Sequence, residues 1–208
     1  MSKRLTIIDK DYTQWVEELS VRYHQSQIKA AIKVNREMLK YYWELGRDIE
    51  EMRVEERWGE GVIKNLSVDL QSRNPNSKGL SRTNIYYAKK FYLLYSSYLK
   101  IVPQVVGQLG EAKQPQAVAR VPQAVGQLKD MLFSIPWGHH RFLIDRYGTE
   151  PEKAVFFVRQ TVENGWSRSM LLNAISTDMF ERQGKALTNF KKTLPDTDSD
   201  LAQELTKD

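Results

Sequence analysis

The stretch GLSRTNIYYAKKFYLLYSSYL, residues 79–99, decides the fold that this sequence predicts. Its glycine and serine precede an amphipathic helix, and Ser81 is placed to accept the free N–H groups of the first turn. At about 100° per residue, one face of this helix is apolar and the opposite face is basic and polar. The apolar face consists of Ile85, Ala88, Phe91, Tyr92, Tyr95 and Leu99, and the polar face of Arg82, Thr83, Tyr86, Lys89, Lys90 and Ser97. We expect the first face to pack in the core.

The same stretch lies in the longest part of the chain without an acidic residue, between Asp69 and Glu111. Six basic residues and five of the ten tyrosines fall there, so this segment supplies the excess behind the formal net charge of +5. A basic helix after a short connection suits DNA reading, because its cations neutralise phosphates and its first turn reaches base edges. A solvated helix face that happens to lack acids is the alternative.

The residues upstream complete a helix-turn-helix-like unit, although its turn is longer than the usual three or four residues. The buried side of the preceding helix is marked by Val62, Ile63, Leu66 and Leu70, and Pro75 ends it. Further upstream a heptad-like seam runs through Met38, Tyr42, Leu45, Ile49 and Met52. This spacing favours packing within the chain but leaves dimerisation through the seam open.

A repeat separates two helical parts of the sequence. VPQVVGQL at 102–109 recurs as VPQAVGQL at 121–128. Its prolines and polar composition favour a flexible linker over the short β-strands of a winged-helix wing. We therefore divide the chain into N-terminal helices with the helix-turn-helix-like unit (9–100), a low-complexity linker (101–130), a second helical unit (131–190) and a polar linker (191–208).

The second helical unit echoes the first. GLSRT at 79–83 matches GWSRS at 165–169. Two copies of one helix-turn-helix unit would explain this echo, and shared helix-cap chemistry, with Ser81 and Ser167 as the two caps, explains it nearly as well. The second helix offers no lysines on its outward face, so we predict that the first unit reads DNA and the second is mainly structural. The fold class expected is a mainly α helical bundle with a helix-turn-helix or winged-helix-like unit, which a duplication would repeat.

Composition and motifs argue against several classes of function. The chain has no cysteine, hence no disulfide, thiolate zinc site or cysteine nucleophile. No apolar run approaches a membrane span and no secretory signal is present, so we expect a cytoplasmic protein without a membrane partner. His139 and His140 point about 100° apart on a helix and cannot share an ion, so we expect a solvent-facing or capping pair. We expect no metal, no cofactor and no catalytic activity.

Eight motifs resemble the N-terminal domain of the YhcG-like family, over nearly the whole chain outside 101–130. They are YWELGR at 42–47, WG at 58–59, LSVDL at 66–70, GLSRTN at 79–84, PWGH at 136–139, ENGWSR at 163–168, FERQGKA at 180–186 and SDLAQ at 199–203. The resemblance implies a winged-helix-like, DNA-binding region followed by a PD-(D/E)xK-type nuclease domain. That domain would begin about where these 208 residues end, so we expect the catalytic carboxylates to lie outside them.

The predicted partner is double-stranded DNA. The residues predicted near the groove are Ser81, Arg82, Thr83 and Tyr86, and those predicted at phosphates are Lys78, Lys89, Lys90 and Lys100. The alternative is a helical module that forms a homo-oligomer through the 38–52 seam and the tyrosine-rich helix, and so scaffolds or regulates a nuclease domain or subunit. The dependence on salt concentration distinguishes these two functions. DNA binding weakens steeply between about 50 and 200 mM salt, whereas apolar association hardly changes.

Overall fold

The computed structural model describes residues 10–108 and 125–183, with side chains for 10–100 and 125–183. The helices are α1 (Lys10–Glu51), α2 (Val54–Trp58), α3 (Val62–Arg73), α4 (Arg82–Gln108), α5 (125–132), α6 (Trp137–Tyr147), α7 (Pro151–Asn164) and α8 (Arg168–Ser176). A 3-10 turn, Lys78–Leu80, precedes α4, and 179–183 are helical. The mainly helical prediction is confirmed. These residues contain no strand, and 109–124 lie outside them, so the wing stays a prediction.

The C-terminal half of α1 packs along α4 and forms the most extensive helix pair of the fold. Gly46 lies where the two backbones approach most closely. A Cβ atom on Gly46 would lie 2.8 Å from the carbonyl carbon of Ala88 and 2.9 Å from the Cβ of Tyr92. The 38–52 seam supplies this packing, since Tyr42 and Ile49 are buried against the chain's own helices. Most of the seam is therefore packed against helices of the same chain.

One core unites the two halves of the sequence. Its buried members are drawn from α1 (Leu39, Trp43), α4 (Phe91, Leu94, Tyr95), the α5 region (Leu128, Leu132, Phe133, Ile135) and α6 to α8 (Leu143, Ile144, Tyr147, Ala154, Val155, Phe157, Val158, Leu171, Ala174, Ile175). The unit predicted at 131–190 thus shares its core with the N-terminal helices. The predicted apolar face of α4 is confirmed, because Ile85, Ala88, Phe91 and Tyr95 are fully buried.

The tyrosines of α4 serve the same packing. Tyr95 is buried, the Tyr87 hydroxyl donates to Asp145 at 2.7 Å, and the Tyr92 hydroxyl donates to Glu51 at 3.4 Å. Of the five tyrosines in this part of the structure, Tyr86 alone is exposed. A self-association surface made of this helix would have to disturb contacts that already hold the fold together.

The helices on either side of the repeat are longer than the sequence indicated. The predicted linker began at 101 and ended at 130, but α4 continues through Gln108 and α5 is already helical at residue 125. Elongation of an established helix is easier than nucleation, which accounts for the added turns at the end of α4. Leu128 and Leu132 pack in the core and hold α5. Residues 109–124 and the predicted linker 191–208 lie outside the described residues.

The histidine pair is buried, which corrects the solvent-facing or capping pair expected from sequence. His139 Nε2 lies 3.1 Å from the carbonyl oxygen of Trp166. His140 Nε2 lies 2.8 Å from the carbonyl oxygen of Leu132, and its Nδ1 lies 3.1 Å from the Tyr95 hydroxyl. Each imidazole therefore has polar partners inside the fold, and such partners remove most of the cost of burying it. Among the described residues no cluster of three or more potential metal ligands occurs.

The echo between the two halves is a shared helix cap. Ser81 and Ser167 both adopt an extended conformation and accept a backbone N–H three residues on, from Asn84 at 3.3 Å and from Met170 at 3.4 Å. Both caps were predicted and both are confirmed. No helix in the described part of the chain combines the length and apolar content that crossing a membrane requires.

Replacing Ser167 by alanine is expected to lower the free energy of unfolding by about 1 kcal/mol, because the N–H of Met170 loses its acceptor. Urea denaturation followed by circular dichroism measures this loss. Ser167→Asp is the matched control, since aspartate also caps helices and should stay close to wild type. Equal losses in both variants would show that the cap does not stabilise α8.

Candidate nucleic-acid interface

The connection between α3 and α4 is held in place by side chains of α1 and α3. The Tyr42 hydroxyl donates to the carbonyl oxygen of Gly79 at 3.1 Å. The Ser67 hydroxyl and the Gln71 amide both donate to the carbonyl oxygen of Leu80, at 2.8 and 3.1 Å. A Cβ atom on Gly79 would lie 2.8 Å from the Tyr42 hydroxyl oxygen, so a larger residue there would displace the Tyr42 side chain. The backbone that leads into α4 is therefore fixed.

Asn84 ties the first turn of α4 to its surroundings. Its backbone N–H is capped by Ser81, and its side-chain amide donates to the carbonyl oxygen of Lys78 at 3.3 Å. The indole N–H of Trp137 at the start of α6 donates to the Asn84 side-chain oxygen, also at 3.3 Å. Sequence reasoning missed this positioning role. The only signal for it was an amide residue three positions after a capping serine.

The fixed turn carries an exposed group of side chains. Arg82, Thr83 and Tyr86 are exposed and line an open depression of about 450 Å³. The Lys90 ammonium lies 4.7 Å from the centre of the Tyr86 ring, in a cation–π contact that orients both groups. In the described residues neither Arg82 nor Lys90 forms an ion pair. Their positive charges are therefore available to an anion.

A second depression adjoins the connection. It encloses about 570 Å³ and is lined by Lys78, Ser81, Gln71, Asn76 and Ser77. Lys78 is exposed and, in the described part of the structure, has no ion-pair partner. Six of the eight residues predicted from sequence are thus brought to one end of α4. They are Lys78, Ser81, Arg82, Thr83, Tyr86 and Lys90.

Two predicted phosphate contacts lie apart from that group. The Lys89 ammonium pairs with Glu55 and lies 3.9 Å from Glu50, and its side chain is 20% exposed. Lys89 therefore fixes α4 against α1 and α2, and these ion pairs compete with the phosphate contact predicted from sequence. Lys100 is exposed but lies about 27 Å from Arg82 along the helix axis, at 1.5 Å per residue. It cannot share a phosphate with the first turn.

Acidic side chains border the candidate face. Glu55 and Glu60 line the same depression as Arg82 and Tyr86. Carboxylates beside an arginine oppose a polyanion and favour one approach direction over others. We therefore expect contacts from the Lys78 and Lys90 sides of the first turn rather than from the side of α2.

Comparison with protein families matches residues 18–182 of the chain to the DUF1016 N-terminal domain. This domain is the N-terminal region of the YhcG-like family. Comparison with curated proteins and with solved structures finds no match.

Proposed function

This chain belongs to the DUF1016 N-terminal domain family, and on that premise we propose that it docks on duplex DNA through the first turn of α4. One observation carries the proposal. The turn is capped by Ser81 and anchored through Asn84, yet it presents Arg82 to solvent without an ion pair in the described residues. A guanidinium that a rigid turn holds towards solvent without an ion pair is better suited to binding a ligand than to stabilising the fold.

Each residue has a distinct expected role. Arg82 can donate two hydrogen bonds to the major-groove edge of guanine, and the hydroxyl and methyl of Thr83 suit neighbouring base edges. Lys78 and Lys90 would neutralise phosphates on either side. The backbone N–H groups in the first turn of α4, apart from that of Asn84, which Ser81 caps, add a further site for a phosphate oxygen. The chain itself would bind and position DNA, while hydrolysis would be the task of a nuclease domain or subunit. We propose a cytoplasmic location for this role.

Fluorescence anisotropy of a labelled 30-base-pair random duplex, without metal, tests the proposal. We expect micromolar binding at about 50 mM salt that weakens steeply by about 200 mM. For duplexes that the wild-type chain selects from a random pool, replacing Arg82 by alanine is expected to weaken binding about 5- to 150-fold, which corresponds to about 1–3 kcal/mol. Lys90→Ala should instead weaken binding to all sequences alike and reduce the salt slope by about one.

Arg159→Ala is the matched control for Arg82→Ala. Arg159 is also an exposed helical arginine without an ion pair in the described residues, and it lies on α7. Binding should not change in this variant. The proposal fails if the wild-type chain does not bind at low salt, or if the Arg82 and Arg159 variants behave alike.

A further inference from the structure

The first 25 residues of α1 form an arm that extends beyond the core. Every residue from 10 to 34 is exposed, and packing begins only at Asn35, whose side-chain amide donates to the carbonyl oxygen of Ile135 at 3.2 Å. At 1.5 Å per residue the arm is about 37 Å long. A helix of this length is marginal alone in water, because most helical stability comes from packing of an apolar face.

The arm carries an apolar stripe that nothing in the described residues covers. The stripe consists of Tyr12, Trp15, Val16, Leu19 and Tyr23. These residues recur every three or four positions, which places them on one side of a helix. Trp15 is 52% exposed and Tyr23 is 63% exposed. Three aromatic side chains on one helix face make an apolar patch of the kind that marks a protein interface.

The side chains on this face of the arm change in size along its length. Its first half bears the large side chains, whereas the same side of the second half bears Ser26, Ala30 and Val34. A second arm in antiparallel orientation places Tyr12, Val16 and Leu19 of one copy against the second half of the other, while Tyr23 near the two-fold axis faces its own counterpart. Such pairing fills space evenly. Parallel pairing would place aromatic on aromatic and leave the second half loosely packed.

The two halves of the arm also differ in the charge of their side chains. Glu17 and Glu18 lie in the first half of the arm, and Arg22, Lys29 and Lys33 lie towards the second. Within the described residues none of these five forms an ion pair. An antiparallel pair with its two-fold axis beside Tyr23 brings Glu18 of one copy to Lys29 of the other. Parallel pairing would instead oppose like charges, which is unfavourable.

We propose that the arm, residues 10–34, is a homodimerisation surface on which a second copy of this chain packs antiparallel. The interface is isologous, so that each copy gives its acidic half to the partner's basic half. The arm is complementary in both size and charge to its own reversed sequence, which identifies a second copy as the occupant. The surface is separate from the seam and the tyrosine helix, which the fold already uses. This proposal rests on the arm alone and is independent of DNA binding.

Sedimentation equilibrium of the full chain without DNA, from about 1 to 100 µM, tests the dimer. We expect a concentration-dependent mass that rises towards twice 24.3 kDa. Leu19→Glu should raise the dissociation constant at least about tenfold, because it places a carboxylate in the stripe. Val21→Glu is the matched control, since it adds the same charge nearby on the opposite side of the arm, and its dissociation constant should not change.

A charge exchange tests the antiparallel orientation. Glu18→Lys and Lys29→Glu should each weaken the dimer, and the double variant should restore it, since the opposite charges then meet again. Circular dichroism confirms that each variant keeps its fold, and substitutions on the arm leave the core intact. A monomeric mass at 100 µM overturns the proposal. So do equal effects of Leu19→Glu and Val21→Glu, or a double charge variant that stays as weak as the single ones.

Discussion

Replacing Gly46 by valine is expected to lower the free energy of unfolding by more than about 3 kcal/mol. Gly46 lies at the closest approach of α1 and α4, and any Cβ there would clash with the carbonyl group of Ala88, whose carbon would lie only 2.8 Å away. Backbone atoms cannot rotate aside as the end of a long side chain can. The two longest helices must therefore separate, and the core between them loses contacts along its length. Urea denaturation followed by tryptophan fluorescence measures the loss.

A second variant, Gly46→Ala, adds only a Cβ atom at this position, and Gly138→Ala is its matched control. Gly138 lies in the first turn of α6, and a Cβ there meets nothing within 4 Å. Alanine favours a helix over glycine by about 1 kcal/mol, so the Gly138 variant should be as stable as wild type or more stable. The Gly46 variant gains the same propensity and should nevertheless lose about 2 kcal/mol. If both variants gain stability, the close approach does not limit the packing of α1 on α4.

The parts of the fold that follow from local chemistry could be predicted. Ser81 and Ser167 were identified as caps because their hydroxyls have a short-range role that neighbouring residues reveal. Pro75 was predicted to end α3, and the helix ends at Arg73. The apolar face of α4 followed from its 3.6-residue period. In each case the signal lies within one or two turns of the chain.

The parts that depend on contacts distant in sequence could not be predicted. Arg53 separates α1 from α2 and adopts a left-handed conformation, with φ 47°, at a position that carries no glycine or proline. The Tyr95 hydroxyl that partners His140 lies 45 residues away in sequence. No local sequence pattern indicates that the Leu132 carbonyl and the Tyr95 hydroxyl will contact the imidazole of His140. The buried histidine pair was therefore assigned wrongly to the surface.

In the candidate site, too, some features follow from local sequence and others depend on contacts distant in sequence. Arg82, Thr83 and Tyr86 were placed on the outer face by helical periodicity, and all three are exposed. Lys89 and Lys90 look equivalent in sequence, since both are lysines on the polar face. The fold distinguishes them, because Glu55 of α2 reaches Lys89 whereas Lys90 lies on the Tyr86 ring. Periodicity assigns a residue to a face but does not identify the helix that lies opposite.

Lowering the pH from 7 to 4 is expected to destabilise the fold by on the order of 3 kcal/mol through His140 alone. Burial lowers the pKa of His140 to about 3, although the hydrogen bond to the Leu132 carbonyl raises it and neighbouring His139 adds a smaller lowering. The Leu132 carbonyl can only accept, so Nε2 carries the proton and Nδ1 accepts from the Tyr95 hydroxyl. The folded state therefore holds the neutral imidazole. A second proton on Nδ1 would face a hydroxyl that donates to it.

The direction of the effect follows from the two pKa values. The unfolded state binds a proton near pH 6.5, whereas the folded state does so only near pH 3. Stability from this group is complete above about pH 6.5 and falls by about 1.4 kcal/mol per unit as the pH drops towards 3. Urea denaturation at pH 7, 6, 5 and 4 gives the slope. His140→Gln keeps a donor and an acceptor but cannot take up the proton, so its slope should be flatter by that amount.

Carboxylates elsewhere contribute to acid sensitivity in wild type and variant alike and cancel in the comparison. A His140→Gln slope equal to that of wild type would mean that the imidazole is protonated in the folded state. In that case the Tyr95 hydroxyl would have to accept from Nδ1 rather than donate to it. The pH series therefore determines the direction of a hydrogen bond at the centre of the core that joins α4 to α6.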